Sequence, residues 1–238
     1  KMKKIVKIGV GLVVFFTLPS MLFFSFIYLK YNEPLPTAKY DNNTKLMVDT
    51  IKSFINYEHY RNTDYISWTF KRRHHFKWHK NKGLCEVYWK NIKVKLDLNN
   101  KENSLVHINE KLIDVSESEP YIEKAVKLFN NDSFWLVAPF KLEDEGTILR
   151  TTLIDNKKAL MVTYTKGGTT PGDTYVWLFD EKGNPKSFKM WVDLIPIGGL
   201  EASWNDWVMT DSKIKLPTAH KIGQLELEID QIITKVSY

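Results

Sequence analysis

Three histidines lie close together in the sequence, at positions 74, 75 and 79, and they suggest a metal site. Side chains alternate between the two faces of a β-strand, so His75 and His79 would share one face while His74 points to the other. No flanking Asp or Cys completes a ligand spacing typical of zinc. The sequence therefore predicts no metal site at these histidines.

The sequence also gives little indication of covalent catalysis or phosphate binding. The single cysteine, Cys85, cannot form an internal disulfide, and such a residue is typically buried and behaves as a small hydrophobe. The glycine-rich residues 167–173 lack the Gly-Lys-Ser/Thr ending of a phosphate loop, which favours a strand connection. No Ser/His/Asp triad or carboxylate pair can be assigned from spacing. We expect no enzyme activity, no catalytic residue and no cofactor.

Residues 71–95 are rich in Lys and Arg, interleaved with aromatic residues, and Glu86 is their one acid. This pattern indicates either contact with anionic lipid head groups or a solvated outer face of two hairpins. Single-stranded nucleic acid would use the same combination of side chains. However, five of the 34 basic residues lie in residues 1–30, which contain no acid, so the rest of the chain carries 29 basic and 28 acidic residues. We therefore expect no nucleic-acid partner.

An almost unbroken apolar run occupies residues 5–29. A helix of that length reaches roughly 37 Å, enough to cross a hydrocarbon core of about 30 Å. The run is too long for a secretory signal, and neither a small-residue cleavage site nor a lipid-bearing cysteine follows it. The sequence predicts an uncleaved anchor at residues 1–30, in a single-pass protein of the bacterial inner membrane. Lysines ahead of the run place the N-terminus in the cytoplasm and the C-terminal domain in the periplasm: Lys1, Lys3, Lys4 and Lys7.

Two prolines in residues 31–40 predict a short extended stalk, and residues 41–238 form one exported domain. A helix is predicted over residues 42–57, with an apolar stripe. The stripe consists of Leu46, Met47, Ile51, Phe54 and Ile55.

From residue 64 the hydrophobic period becomes two, which indicates short antiparallel strands as far as residue 97. A hairpin over residues 105–115 turns at Asn109-Glu110, and a helix capped by Ser116 or Ser118 follows, with Pro120 in its first turn. Residues 133–140 are expected to form a second short helix or an apolar plug against the sheet. Further strands are predicted at residues 147–154, 159–165, 174–180, 187–193 and 201–210. The fold class is α+β: a curved antiparallel sheet, an incomplete β-barrel, with helices over its concave face.

The segment KRRHHFKWH at residues 71–79, followed by VYWKNIKV at residues 87–94, resembles the periplasmic lipoprotein carriers of the LolA/LolB type. The order of elements is similar to that of the same family. The resemblance implies a cavity for acyl chains and assigns Arg72 to a contact that holds the helical lid closed. Arg73 is an alternative, shifted by one residue and therefore on the opposite face. The predicted anchor departs from the family, because a tethered domain cannot shuttle cargo.

Five aromatic residues are candidates for lining an apolar ligand cavity: Trp78, Trp89, Phe134, Trp135 and Trp177. The alternative is that each simply fills the core. The predicted function is a membrane-anchored periplasmic binding protein for a lipid, an acyl chain or a lipidated protein. A second interpretation is a non-catalytic accessory subunit that docks with other envelope membrane proteins, and a third is an envelope hydrolase.

Overall fold

The computed structural model describes the backbone of residues 2–236 and the side chains of residues 15–236. Its first helix, α1 (Met2–Tyr31), covers the predicted anchor. The side chains of residues 5–14, the first part of the apolar run, lie outside the described residues. Within the described part of the chain, no helix has the length and apolarity of a membrane span.

The rest of the chain combines three further helices with fourteen strands in the described residues. The helices are α2 (Asn42–Ile55), α3 (Tyr57–Asn62) and α4 (Val115–Val137). The strands of the first half are β1 (Thr63–Phe70), β2 (His74–His79), β3 (Leu84–Trp89), β4 (Ile92–Asp97), β5 (Leu105–Ile108) and β6 (Lys111–Leu112). Those of the second half are β7 (Thr147–Ile154), β8 (Lys157–Tyr164), β9 (Thr174–Phe179), β10 (Pro185–Trp191), β11 (Leu200–Ser203), β12 (Asn205–Met209), β13 (Lys215–Ile222) and β14 (Leu225–Val236).

The strands form two antiparallel sheets, neither of which closes into a barrel. The larger sheet has nine strands in the order β12-β13-β14-β1-β2-β3-β4-β5-β6, and the smaller has five in the order β11-β10-β9-β8-β7. The α+β class and the antiparallel pairing are confirmed, but the strands are divided between two sheets rather than one. The sheets meet where Ser203 accepts a hydrogen bond from His220 Nδ1 at its carbonyl and another from Lys221 N at its hydroxyl, both 2.9 Å long.

The division into two sheets occurs within residues 201–210, which were predicted to form one strand. Strand β11 ends at Ser203 and β12 begins at Asn205, so the two strands belong to different sheets. Between them the buried Trp204 donates its backbone N–H to the carbonyl of Lys186 on β10. Strands β13 and β14 were not predicted, although β14 is the neighbour of β1 in the larger sheet.

Helix α2 begins where predicted and ends at a left-handed residue. Asp41 caps it by accepting hydrogen bonds from the backbone N–H groups of Asn43 and Thr44, and Asn56, at φ 59°, ends it before α3. The buried stripe contains Ile51 and Ile55 as expected. The prediction for Leu46 is wrong, because its side chain is 64% exposed.

Helix α4 is one element where two were predicted. It continues through residues 133–137, and a single 3₁₀ turn over Ala138–Phe140 ends it. Its N-cap is Asp114 rather than either serine, since the Asp114 carboxylate accepts the Ser116 backbone N–H at 2.9 Å. Pro120 is the sixth helical residue, beyond the first turn.

Residues 32–40, which are the predicted stalk without Tyr31, lie against the smaller sheet. Glu33 binds Lys189 Nζ through both carboxylate oxygens, at 2.6 and 2.7 Å, and its carbonyl accepts Trp191 Nε1 at 2.8 Å. Further along, the backbones of Lys39 and Thr151 exchange two hydrogen bonds. Gly198 permits this approach, because a Cβ there would lie 2.5 Å from Trp191 Cδ1 and 2.8 Å from the Glu33 carbonyl oxygen. The stalk is thus attached to the domain at both ends.

We predict that hydrogen exchange will reveal this attachment. The backbone N–H groups of Glu33 and Lys39 donate to the carbonyls of Gly198 and Thr151, so both should exchange more slowly than free amides. The change Gly198→Ala should displace Glu33 and accelerate exchange at Glu33 by at least about tenfold, while Ile55 in α2 serves as an unaffected internal control. Exchange at the unprotected rate in the unmodified chain would show that the stalk is free.

Candidate functional site

Three of the predicted lining residues converge on one buried ring, Phe188 of β10. The ring centroids of Phe134 and Trp135 each lie 5.7 Å from that of Phe188, and the centroid of Trp177 lies 6.4 Å away. Trp177 and Phe188 are fully buried, and Phe134 also stacks on Tyr175 at 4.4 Å. This direct ring-to-ring packing favours the core-filling interpretation for the three residues.

Trp89 and Arg72 lie elsewhere. Trp89 is buried on β3, with Lys124 Nζ of α4 at 5.5 Å from its ring. Arg72 lies in the loop between β1 and β2 rather than in a strand; it has φ 54°, and its side chain is 79% exposed. Its guanidinium pairs with Glu228 at 3.4 Å and Asp230 at 3.7 Å, both on β14. The structure therefore brings Arg72 to a neighbouring strand, whereas His74 of the same hairpin forms a charged contact with Asp132 of α4.

Trp78, the remaining candidate, lines an open cleft of about 390 Å³. The floor of the cleft is aromatic: Tyr60 stacks on Phe140 with ring centroids 4.2 Å apart and planes inclined by 22°. Both rings are buried, and Trp78 is 6% exposed. The complete lining is Tyr57, Tyr60, Arg61, Trp78, Lys80, Phe140, Lys141 and Asp144.

Separate elements bring these residues together. The turn at Asn56 directs α3 away from α2, which places Tyr57, Tyr60 and Arg61 beside the end of β2. Phe140 and Lys141 arrive from the C-terminal end of α4, through the 3₁₀ turn. Because the stacked rings of Tyr60 and Phe140 are eighty positions apart in the chain, no local sequence spacing indicates the cleft.

The cleft presents cations around its aromatic floor. Lys80 Nζ lies 4.9 Å from the Tyr60 ring centroid, and Lys141 Nζ lies 6.0 Å from that of Trp78. Burial raises the pKa of Tyr60 well above its usual value, so its hydroxyl stays protonated at neutral pH. The indole Nε1 of Trp78 is buried and has no hydrogen-bond partner among the described residues. The arrangement can bind an apolar body and hold a polar group at its edge.

A second cleft, of about 420 Å³, lies between the stalk and β7, and has a different character. Lys39 and Lys158 also line it, but no aromatic ring does. Its carboxylate, Asp41, already accepts hydrogen bonds from the α2 backbone and from Thr151 Oγ1, which lower its pKa to about 2. This cleft lacks the aromatic floor of the Trp78 cleft.

One charged contact joins α4 to the larger sheet. His74 Nδ1 on β2 lies 2.7 Å from the Asp132 carboxylate, whose side chain is 8% exposed. Burial raises the pKa of Asp132 to about 6, and the hydrogen bond with His74 opposes part of that rise. His75, the next residue, instead lies 2.8 Å from Thr69 Oγ1. Within the described residues, no three His, Cys, Asp or Glu side chains are placed to share a metal ion.

Comparison with known proteins gives little further information. No family model matches the chain. No curated protein matches it either. A crystal structure of a DUF1329 family protein from Desulfovibrio piger overlays with a TM-score of 0.40 and 11% identity, covering 82% of this chain and 94% of that one. Similarity at this level supports no inference about fold or function.

The Asp132 pKa predicts a specific pH dependence. Its value of about 6 in the fold exceeds the ordinary value of an aspartate, about 4, so its contribution to stability is lost as pH rises from about 4 to about 6. The buried His220, whose pKa falls to about 4, acts in the opposite direction over the same range. The comparison must therefore be made against Asp132→Asn.

The quantity to follow is the free energy of unfolding of the unmodified chain minus that of Asp132→Asn. We expect this difference to fall by up to about 3 kcal/mol between pH 4 and pH 7. Urea unfolding at each pH measures this difference. Asp97→Asn is the control, because hydrogen bonds lower the pKa of that carboxyl, which reverses the sign of the difference. A difference that stays constant with pH would contradict the raised pKa.

Proposed function

We propose that this protein is a membrane-anchored binding protein of the bacterial envelope, and that it holds a lipid, an acyl chain or a lipidated protein in the Trp78 cleft. The observation that carries the proposal is the aromatic floor made by Tyr60, Phe140 and Trp78. Ligand sites in proteins are typically concave and mostly apolar, with a few polar groups, and occupy about 300–1,000 Å³. At about 390 Å³ the cleft would hold part of an acyl chain.

The proposed location follows from the sequence at the start of the chain. Residues 5–29 are apolar, with lysines ahead of them, a pattern that favours a single span with the N-terminus in the cytoplasm. Tyr28 and Tyr31 lie at the end of α1, and aromatic residues of this kind are enriched at membrane interfaces. The domain after the span would then face the periplasm.

We predict that a photoreactive fatty acid will label the Trp78 cleft. The full chain, purified in non-ionic detergent, would be irradiated with a diazirine-bearing palmitate, and the labelled peptides mapped by mass spectrometry. Labels should fall on residues 57–61 and 138–144, because these segments line the cleft.

Tyr57→Ser should reduce this labelling by about fivefold, since it removes a ring at the cleft, where each buried aromatic contributes on the order of 1 kcal/mol. Tyr65→Ser is the matched control, because Tyr65 is also partly buried but lies on β1 away from the cleft. Equal labelling of both variants, or labels spread over the surface, would argue against the site.

The proposed topology can be tested by thiol labelling. Cys85 is 1% exposed and burial raises its pKa, so it should give little background. A Lys182→Cys variant places a second thiol in the exposed turn between β9 and β10. A membrane-impermeant maleimide should label it in intact spheroplasts, and the chain should remain in the membrane after alkaline carbonate washing. Labelling only after lysis would contradict a periplasmic domain.

A further inference from the structure

The Trp78 cleft carries more positive charge than its own residues balance. Three cations line it, Arg61, Lys80 and Lys141, against one carboxylate, Asp144. Asp144 pairs with Lys141 at 3.6 Å. Arg61 pairs with Glu58 at 3.2 Å, but both side chains are mostly exposed and Glu58 does not line the cleft. An exposed pair of this kind contributes little and leaves the guanidinium available.

Lys80 is the cation with the least compensation. Its ammonium has only neutral acceptors, the Arg61 carbonyl at 3.3 Å and Asn81 Oδ1 at 3.4 Å, and it forms no ion pair with any carboxylate of the described residues. Burial lowers its pKa, and Asp64 counteracts this only in part. An ammonium group has three donors, so a further acceptor with negative charge would satisfy it.

The cations border the aromatic floor rather than a separate surface. The Lys80 ammonium lies over the Tyr60 ring, and that of Lys141 lies near the Trp78 ring. A ligand whose apolar part enters the cleft would therefore bring its polar end to the positive groups. Such contacts are charge-assisted hydrogen bonds, which are shorter and stronger than neutral ones.

We infer that the ligand of the Trp78 cleft is anionic, with a carboxylate or phosphate held by Lys80 and Arg61 and an apolar chain within the cleft. This inference rests on the proposed function, and it narrows the ligand to acidic amphiphiles. The carboxylate or phosphate oxygens accept hydrogen bonds from the Lys80 ammonium and the Arg61 guanidinium.

The test compares amphiphiles that share one chain and differ in head group. Oleate, oleoyl lysophosphatidate and oleyl alcohol would be titrated into the full chain in non-ionic detergent by calorimetry, with inorganic phosphate as a fourth probe. We expect the two anions to bind at least about tenfold more tightly than the alcohol. Raising the salt concentration should weaken the anions and leave the alcohol unchanged.

Variants of Lys80 assign the effect. Lys80→Met should reduce the affinity for both anions by about tenfold without changing that for the alcohol, and Lys80→Arg should retain most of it. Lys182→Met, at an exposed turn, is the matched control and should bind like the unmodified chain. Unchanged melting temperatures would show that the variants fold.

The outcomes separate the two proposals. Equal affinities for the three amphiphiles, insensitive to Lys80→Met, would overturn the anionic ligand and leave amphiphile binding intact. Binding of phosphate alone, weakened by Lys80→Met, would retain the anion site but reject the amphiphile. Failure of all four probes to bind would reject both.

Discussion

The packing of α4 against both sheets is the constraint on which the rest of the structure depends. Near the middle of the helix, Phe129 contacts the rings of Trp68, Phe76 and Trp78 on the larger sheet. One and a half turns later, Phe134 contacts Tyr175 and other rings of the smaller sheet. Each sheet buries part of its aromatic face against this helix, since a sheet with one apolar face needs a second layer. The same helix delivers Phe140 to the cleft.

This arrangement explains which parts of the fold could be predicted. The strands between residues 63 and 97 follow largely from alternation, because β2, β3 and β4 each have one buried face and one partly exposed face. The continuity of α4 could not be predicted, because Asp132 and Ser133 are polar residues that resemble a helix break. Both are buried in the fold. Asp132 contacts His74, and the Ser133 hydroxyl donates to the Asn130 carbonyl. Strand β14 did carry a signal, the alternation of Leu225, Leu227 and Ile229.

The candidate site was less accessible to prediction. Trp78 could be proposed because it is an aromatic residue on an alternating strand, but its partners Tyr60 and Phe140 are distant in sequence. The resemblance to the lipoprotein carriers placed Arg72 in a strand, and the residues around it include neither Gly nor Asn, the usual residues of tight hairpin turns. The chain turns there nonetheless, with positive φ at Lys71 and Arg72. Tertiary pairing with β14, which involves the Lys71 backbone N–H and the Glu228 carbonyl, holds that turn.

The attachment of residues 32–40 to the smaller sheet has a mechanical consequence. Hydrogen bonds at Glu33 and Lys39 attach the segment that follows α1 to the domain. A change in the tilt of the helix would therefore rotate the domain with it. In the anchored arrangement proposed above, bilayer thickness influences helix tilt. The angle at which the Trp78 cleft faces the membrane would then depend on the lipid composition of the bilayer rather than on the length of a tether.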